Sequence, residues 1–207
     1  MKTRPFLIAS GLIWLFVVIA GLRIMLVYEN TPGIAATAPV AWPLSSRLQR
    51  APKGATLIML AHPRCPCTRA SIGELNELMA HCQGKVTAYV LFFKPKGFAD
   101  TWAKTDLWQS AAAIPGVTVM CDEDNQEAQR FHAETSGQTM LFDNAGHLLF
   151  SGGITGSRGH FGDNVGLSNI ESLLTSGKAE RNKTLVFGCS LRDPISSRSY
   201  PVLKEVN

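Results

Sequence analysis

Apolar positions fall into three kinds of pattern along the chain. The first is a block: Phe6 to Gly21 carries no charge, and apolar character continues past Arg23 through Ile24, Met25, Leu26, Val27 and Tyr28. As a helix, residues 6–28 reach about 34 Å, enough for a hydrocarbon core of about 30 Å. Arg23 lies near the far end, where its long stem lets the guanidinium reach the headgroups. The second pattern is the short continuous run, Ala55–Ala61 (ATLIMLA) and Val86–Phe93 (VTAYVLFF), with a shorter one at Val117–Met120. Such runs suit strands buried on both faces. The third is helical spacing: Ile72, Leu75, Leu78 and Met79 within 68–81, then Trp102, Leu107, Trp108 and Ala111 within 100–113. A further helix is expected over 124–133. The period then changes. Thr139–Phe142 and His147–Ser151 flank Asp143-Asn144-Ala145-Gly146, a turn cluster that predicts an antiparallel hairpin. A glycine-rich segment, 152–166, precedes a last helix over 167–175.

The order β-α-β-α-β-α-β-β-α makes the fold class α/β, with parallel strands first and an antiparallel hairpin at one edge. Helices should cover both faces of the mixed sheet. The expected division is a tip at 1–5, a transmembrane anchor at 6–28, a tether rich in Ala, Pro, Thr and Ser at 29–53, a domain at 54–177 and a tail at 178–207.

Charge sharpens this picture. Charged residues are 17% of the 207, below the roughly 25% average, and the anchor is where they are missing. Lys2 and Arg4 precede the apolar block and Glu29 follows it, so the positive-inside rule keeps the N-terminus cytoplasmic. The expected location is the inner membrane, single-pass, with the soluble domain facing the periplasm or cell exterior. The rival reading is a cleaved signal peptide, but Pro39 follows the small residues Ala36-Thr37-Ala38, and the block exceeds the usual h-region. The net charge of +4 comes without a dense Lys/Arg block, so nucleic acid has no footprint. Five cysteines are too few for a disulfide scaffold.

The candidate chemistry lies where the first strand breaks into the first domain helix, His62-Pro63-Arg64-Cys65-Pro66-Cys67-Thr68-Arg69. A cysteine at a helix N-terminus meets unpaired backbone N–H groups and the positive dipole end, which favour the thiolate. Arg64 and Arg69 add positive charge. Cys65 is therefore the expected nucleophile and Cys67 the nearest resolving thiol. Their disulfide would close a small, strained, easily reduced ring.

Cysteines at this strand-to-helix turn, in this element order, resemble the thioredoxin-like superfamily, and most of all its membrane-tethered periplasmic thiol–disulfide oxidoreductases. The resemblance covers about 54–177 and includes Thr139-Met140-Leu141-Phe142-Asp143 with Gly146. It implies a three-layer α/β/α sandwich preceded by one transmembrane helix, with protein thiols or disulfides as partners, a membrane redox or respiratory complex among the candidates. The family's site reads Cys-x-x-Cys; here the spacing is Cys-x-Cys, and Gly137 stands at the usual cis-proline position. In the family's alignment Thr68 is an alternative match to the second cysteine. Pro66, Gly137, Gln138 and Thr139 are the substrate-groove residues that the resemblance implies, with Arg158 from the glycine-rich loop as a candidate for binding an anionic group.

The competing chemistry is copper. His62, Cys65 and Cys67 form a soft set suited to Cu(I), and His160 could complete it, as in copper-delivering members of the same fold. Otherwise no cofactor is expected. A third reading is a non-catalytic thioredoxin-like binding domain. Cys82 reads as a structural thiol. Cys121 and Cys189 are candidates for a structural disulfide, the alternative being Cys189 as a tail thiol that reaches a partner or the site.

Overall fold

A computed structural model describes residues 3–34 and 36–191; the rest of the expected tail, 192–207, lies outside them. The chain divides at Thr31 into two compact units. The first is a helix, α1 (Thr3–Glu29). It is long and apolar enough over Pro5–Glu29 to cross a membrane, a test that an N-terminal signal sequence also passes.

The second unit has the element order β1 (Ala55–Ala61), α2 (Pro66–His81), β2 (Val86–Lys94), a 3-10 turn (Asp100–Trp102), α3 (Asp106–Ala112), β3 (Val117–Glu123), α4 (Gln126–Arg130), β4 (Thr139–Phe142), β5 (Leu148–Gly152) and α5 (Val165–Ser176). The sheet order is β3-β2-β1-β4-β5. β1, β2 and β3 run parallel, β4 runs antiparallel to β1, and β5 antiparallel to β4. This is the thioredoxin-like α/β fold with a mixed five-stranded sheet.

β1 is central and buried throughout, which is why its run is continuous rather than alternating. Leu57 and Met59 face a core shared with Ile72, Leu75 and Leu78 of α2, Leu107 and Ala111 of α3, and Leu167 and Ile170 of α5. Ile58 and Leu60 face a second core with Ala128 of α4, Phe131, Met140 and Phe142.

Three expectations need correction. The helix expected over 100–113 is broken: after the 3-10 turn the chain restarts at Thr105, the N-cap of α3, whose hydroxyl donates to the Pro63 carbonyl at 3.2 Å. The helix expected over 124–133 is reduced to α4 because Asp124, Asn125 and His132 adopt left-handed φ values. The Asp122 carboxylate accepts the N–H groups of Glu127 and Ala128 at 2.8 and 2.9 Å and starts the helix there.

The segment expected to be a tether is, from Pro32 on, part of the second unit. Ala38, Leu48 and Ala51 are buried. Trp42 meets Phe131 and Phe142 edge-on, centroids 5.2 Å apart in each case, and its N–H donates to the Gly146 carbonyl at 2.8 Å. With only the five-residue α4 on this face, the strap supplies the apolar cover the sheet would otherwise lack.

Candidate active site

The site forms where β1 leaves the sheet. The turn through His62-Pro63-Arg64 closes when the Cys65 N–H donates to the His62 carbonyl at 3.2 Å. Cys65 is the N-cap of α2, in extended backbone, and Pro66 follows in the first turn, where its missing N–H costs no helical bond. The turn is tied to β4's approach loop by Ser136. Its hydroxyl accepts the His62 N–H at 2.8 Å and shares a hydrogen with the Thr68 hydroxyl at 2.8 Å. Thr68, the alternative match to a second cysteine, is thus a buried tie.

Three sulfurs converge on α2's N-terminus. The Cys65 and Cys189 sulfurs lie 2.7 Å apart, and the Cys189 backbone N–H points at the Cys65 sulfur at 3.4 Å. Hydrogen bonds from the Cys189 thiol and then the Cys67 thiol hold Cys65 far below the ordinary thiol range, against burial, with backbone N–H groups of Cys189 and Thr68 assisting. Cys189 is pushed far up by its bonds to Cys65 and Cys67, by burial and by their negative charge. Cys67 feels a downward pull from Cys189, but the hydrogen bond with Cys65, burial and the Cys65 charge together move it up. Of the three sulfurs, Cys65 is the one whose pKa is lowered.

Cys189 arrives by a long return. After α5 ends at Gly177, residues 182–185 run beside β5. The Ser151 N–H donates to the Asn182 carbonyl at 2.9 Å and the Gly153 N–H to the Leu185 carbonyl at 3.2 Å. The chain then crosses to the loop before β4. The Ser136 N–H donates to the Cys189 carbonyl at 2.8 Å, the Leu191 N–H donates to the Glu134 carbonyl at 2.9 Å, and Thr135 and Ser190 form an antiparallel bridge. Phe187 and Leu191 are buried. At Gly188 any side chain would collide with the Ser136 carbonyl oxygen, so glycine is what lets the backbone approach this closely.

The glycine-rich loop holds the tail from the other side. Arg158 donates from Nη1 to the Gly188 carbonyl at 2.6 Å, and its charge favours the Cys67 thiolate. The loop is clamped to α2 by Glu74, which is fully buried and accepts the Gly162 N–H at 2.6 Å. Among the described residues its second carboxylate oxygen has no partner at hydrogen-bond geometry, and burial pushes its pKa up. Asn164 caps α5 by accepting the Leu167 N–H at 2.8 Å.

The expected residues are distributed as follows. Cys65, Cys67 and Arg158 meet at the site, with Pro66 between the two cysteines. Gly137 has φ +87°, a conformation glycine takes without strain, and its N–H donates to the Leu60 carbonyl at 2.7 Å. The described residues contain no cis peptide. Gln138 and Thr139 are buried; the backbone that meets the tail is 134–136, just upstream. The copper set is not assembled. The His62 ring packs against Phe93 and Trp102, centroids 5.8 Å away in each case, and His160 is on an exposed stretch of the loop. Among the described residues no group of three His, Cys, Asp or Glu is set to hold a metal ion. The Cys121–Cys189 disulfide is also corrected: Cys189 sits on Cys65, while Cys121 pairs with Phe92 in the β2–β3 ladder. Cys82 is a buried thiol whose pKa burial pushes up. Ser136, Glu74 and Asn164 carry no motif of their own in the sequence, whereas Cys189 takes the position at the site that was one alternative for a tail thiol.

No family model matches the chain. Curated relatives match it over 66 residues: the pyridoxal 5'-phosphate synthase subunit PdxT of Saccharolobus solfataricus and that of Saccharolobus islandicus, each 38% identical. The match covers 32% of this chain, and the chain spans 32% of the length of those relatives. Among solved structures, an uncharacterized conserved protein from Geobacillus kaustophilus is similar with TM-score 0.57 and 19% identity, covering 77% of this chain and 96% of that one. A hypothetical protein from Sinorhizobium meliloti gives 0.55 and 18%, covering 79% and 94%. A secreted Mycobacterium tuberculosis disulfide oxidoreductase homologous to E. coli DsbE gives 0.42 and 13%, covering 59% and 81%. What the Geobacillus and Sinorhizobium structures have in common with the present one is the fold.

Proposed function

We propose that the chain performs thiol–disulfide exchange with protein partners on the far side of the cytoplasmic membrane, held there by α1, with Cys65 as the attacking sulfur. The observation that supports this is Cys65 at the N-cap of α2 with the Cys189 sulfur 2.7 Å away, a setting whose hydrogen bonds lower its pKa. An inert packing cysteine, buried among apolar groups, would be driven toward the thiol form. The Cys65 thiolate attacks one sulfur of a partner disulfide; the Cys65–partner bond forms as the partner S–S bond breaks and a partner thiolate leaves. A second thiol of the chain then loses its proton to solvent and attacks the Cys65 sulfur, and the other partner sulfur leaves as thiolate. The partner has gained two electrons and the chain holds a disulfide. Run backwards, the same steps oxidise a partner dithiol.

The test is turnover of a disulfide-bonded protein, insulin, by the reduced full chain in detergent. Reduction lost in Cys65→Ser, with the circular dichroism spectrum unchanged, is the expected result. A wild-type rate no higher than that of Cys65→Ser would overturn the reading and leave a binding domain.

A further inference from the structure

Cys65 is 1% exposed. A thiolate buried this deeply meets no partner disulfide until what covers it moves, and what covers it is the tail. Residues 189–191 lie along 134–136 with antiparallel backbone pairing, as an added strand lies on a sheet edge. The Cys189 sulfur thereby rests on Cys65. Arg158 and the glycine at 188 both serve this placement.

We infer that Cys189, not Cys67, is the thiol that closes the intramolecular disulfide with Cys65, and that residues 186–191 occupy the strip that a cysteine-bearing partner strand takes when the tail lifts. This rests on exchange at Cys65. Cys67 is the poorer resolving thiol on geometric grounds. It lies two residues on, inside the first turn of α2, with Pro66 between the two cysteines. Proline locks φ, so a Cys65–Cys67 bond requires that turn to distort. Cys189 comes from a separate segment already in line with Cys65, and needs only a small approach of one backbone toward the other.

In the second half of the exchange the Cys189 thiol gives its proton to solvent and its sulfur attacks Cys65. The Cys65–Cys189 bond forms as the Cys65–partner bond breaks, and the partner leaves as thiolate. A dithiol reductant from outside restores the pair. Cys67 hydrogen-bonds Cys65 in the reduced chain and takes no covalent part in these steps.

The full chain is oxidised in a glutathione buffer, quenched in acid and mapped by peptide mass spectrometry. A Cys65–Cys189 link is expected, retained in Cys67→Ser. In Cys189→Ser, the Cys65–partner mixed disulfide formed with a protein disulfide should decay at least about tenfold more slowly than in wild type. A Cys65–Cys67 link in the wild type, or wild-type resolution in Cys189→Ser, overturns the inference while leaving exchange at Cys65 intact. The Cys65–Cys189 link without any turnover of protein disulfide would instead remove the exchange reading and support the pairing.

Discussion

Replacing Gly188 by alanine isolates what the docked tail does to Cys65. The new Cβ would overlap the Ser136 carbonyl oxygen and lie 3.0 Å from its carbon and 3.3 Å from the Thr135 methyl. Two of those atoms are backbone, so the tail must move. Three hydrogen bonds depend on its position: Ser136 N–H to the Cys189 carbonyl at 2.8 Å, Arg158 to the Gly188 carbonyl at 2.6 Å, and Cys189 N–H to the Cys65 sulfur at 3.4 Å. At about 1 kcal/mol net for each normal bond and less for the long one, docking weakens by about 2–3 kcal/mol. That is about 30- to 150-fold in the docked-to-undocked ratio.

Two effects on Cys65 then oppose each other. Uncovering speeds its reaction wherever the thiolate is present. Loss of the Cys189 donor, the largest cause of its lowered pKa, moves the thiolate midpoint toward the ordinary value of about 8.5. Iodoacetamide alkylation of Cys65, resolved by mass spectrometry and followed against pH, separates them. In Gly188→Ala the high-pH plateau should rise about tenfold or more, and the midpoint should move up. An unchanged plateau and an unchanged midpoint would refute the covering role of the tail.

Arg158→Gln removes the bond to Gly188 and the charge near Cys67, so Cys65 should alkylate several-fold faster at high pH and Cys67 should need a higher pH to react. The same alkylation profiles check this. Glu74→Gln keeps an acceptor for Gly162 and removes the buried charge. Because the folded pKa of Glu74 is raised, folding binds extra protons, and its contribution is fullest at pH below the unfolded value and lost as pH rises through the folded one. The glutamine variant should be more stable at pH 7 by about 1 kcal/mol, and its urea midpoint should lose that part of the pH dependence; an equal or lower midpoint at pH 7 contradicts the assignment. Trp42→Ala strips the edge contacts on Phe131 and Phe142 and should cost about 2 kcal/mol in urea unfolding, whereas a change under about 0.5 kcal/mol would return 32–51 to a loose tether.

Which parts of this were legible follows from how local each cause is. β1 and β4 appear with the expected ends because a strand buried on both faces leaves an unbroken apolar run. Cys65 was identifiable because strand, turn and helix start are consecutive in the chain. Cys189 is 124 residues from Cys65, and nothing in its neighbourhood encodes that partner. The strap was missed because Ala38, Trp42, Leu48 and Ala51 are too sparse to set a period, yet each finds a place on the sheet face left open by a short α4. The break in 100–113 depends on Thr105 reaching Pro63, again a tertiary contact. Arg158 of the glycine-rich loop was expected to bind an anionic group; in the structure it holds the Gly188 carbonyl of the chain's own tail.

Cys65 as the attacking sulfur is tested most directly by trapping. Reduced Cys189→Ser chain is mixed with a protein disulfide, quenched in acid, and digested to find which cysteine carries the partner. A mixed disulfide on Cys65 is the predicted result. A partner carried on Cys67, or none at all, would contradict it.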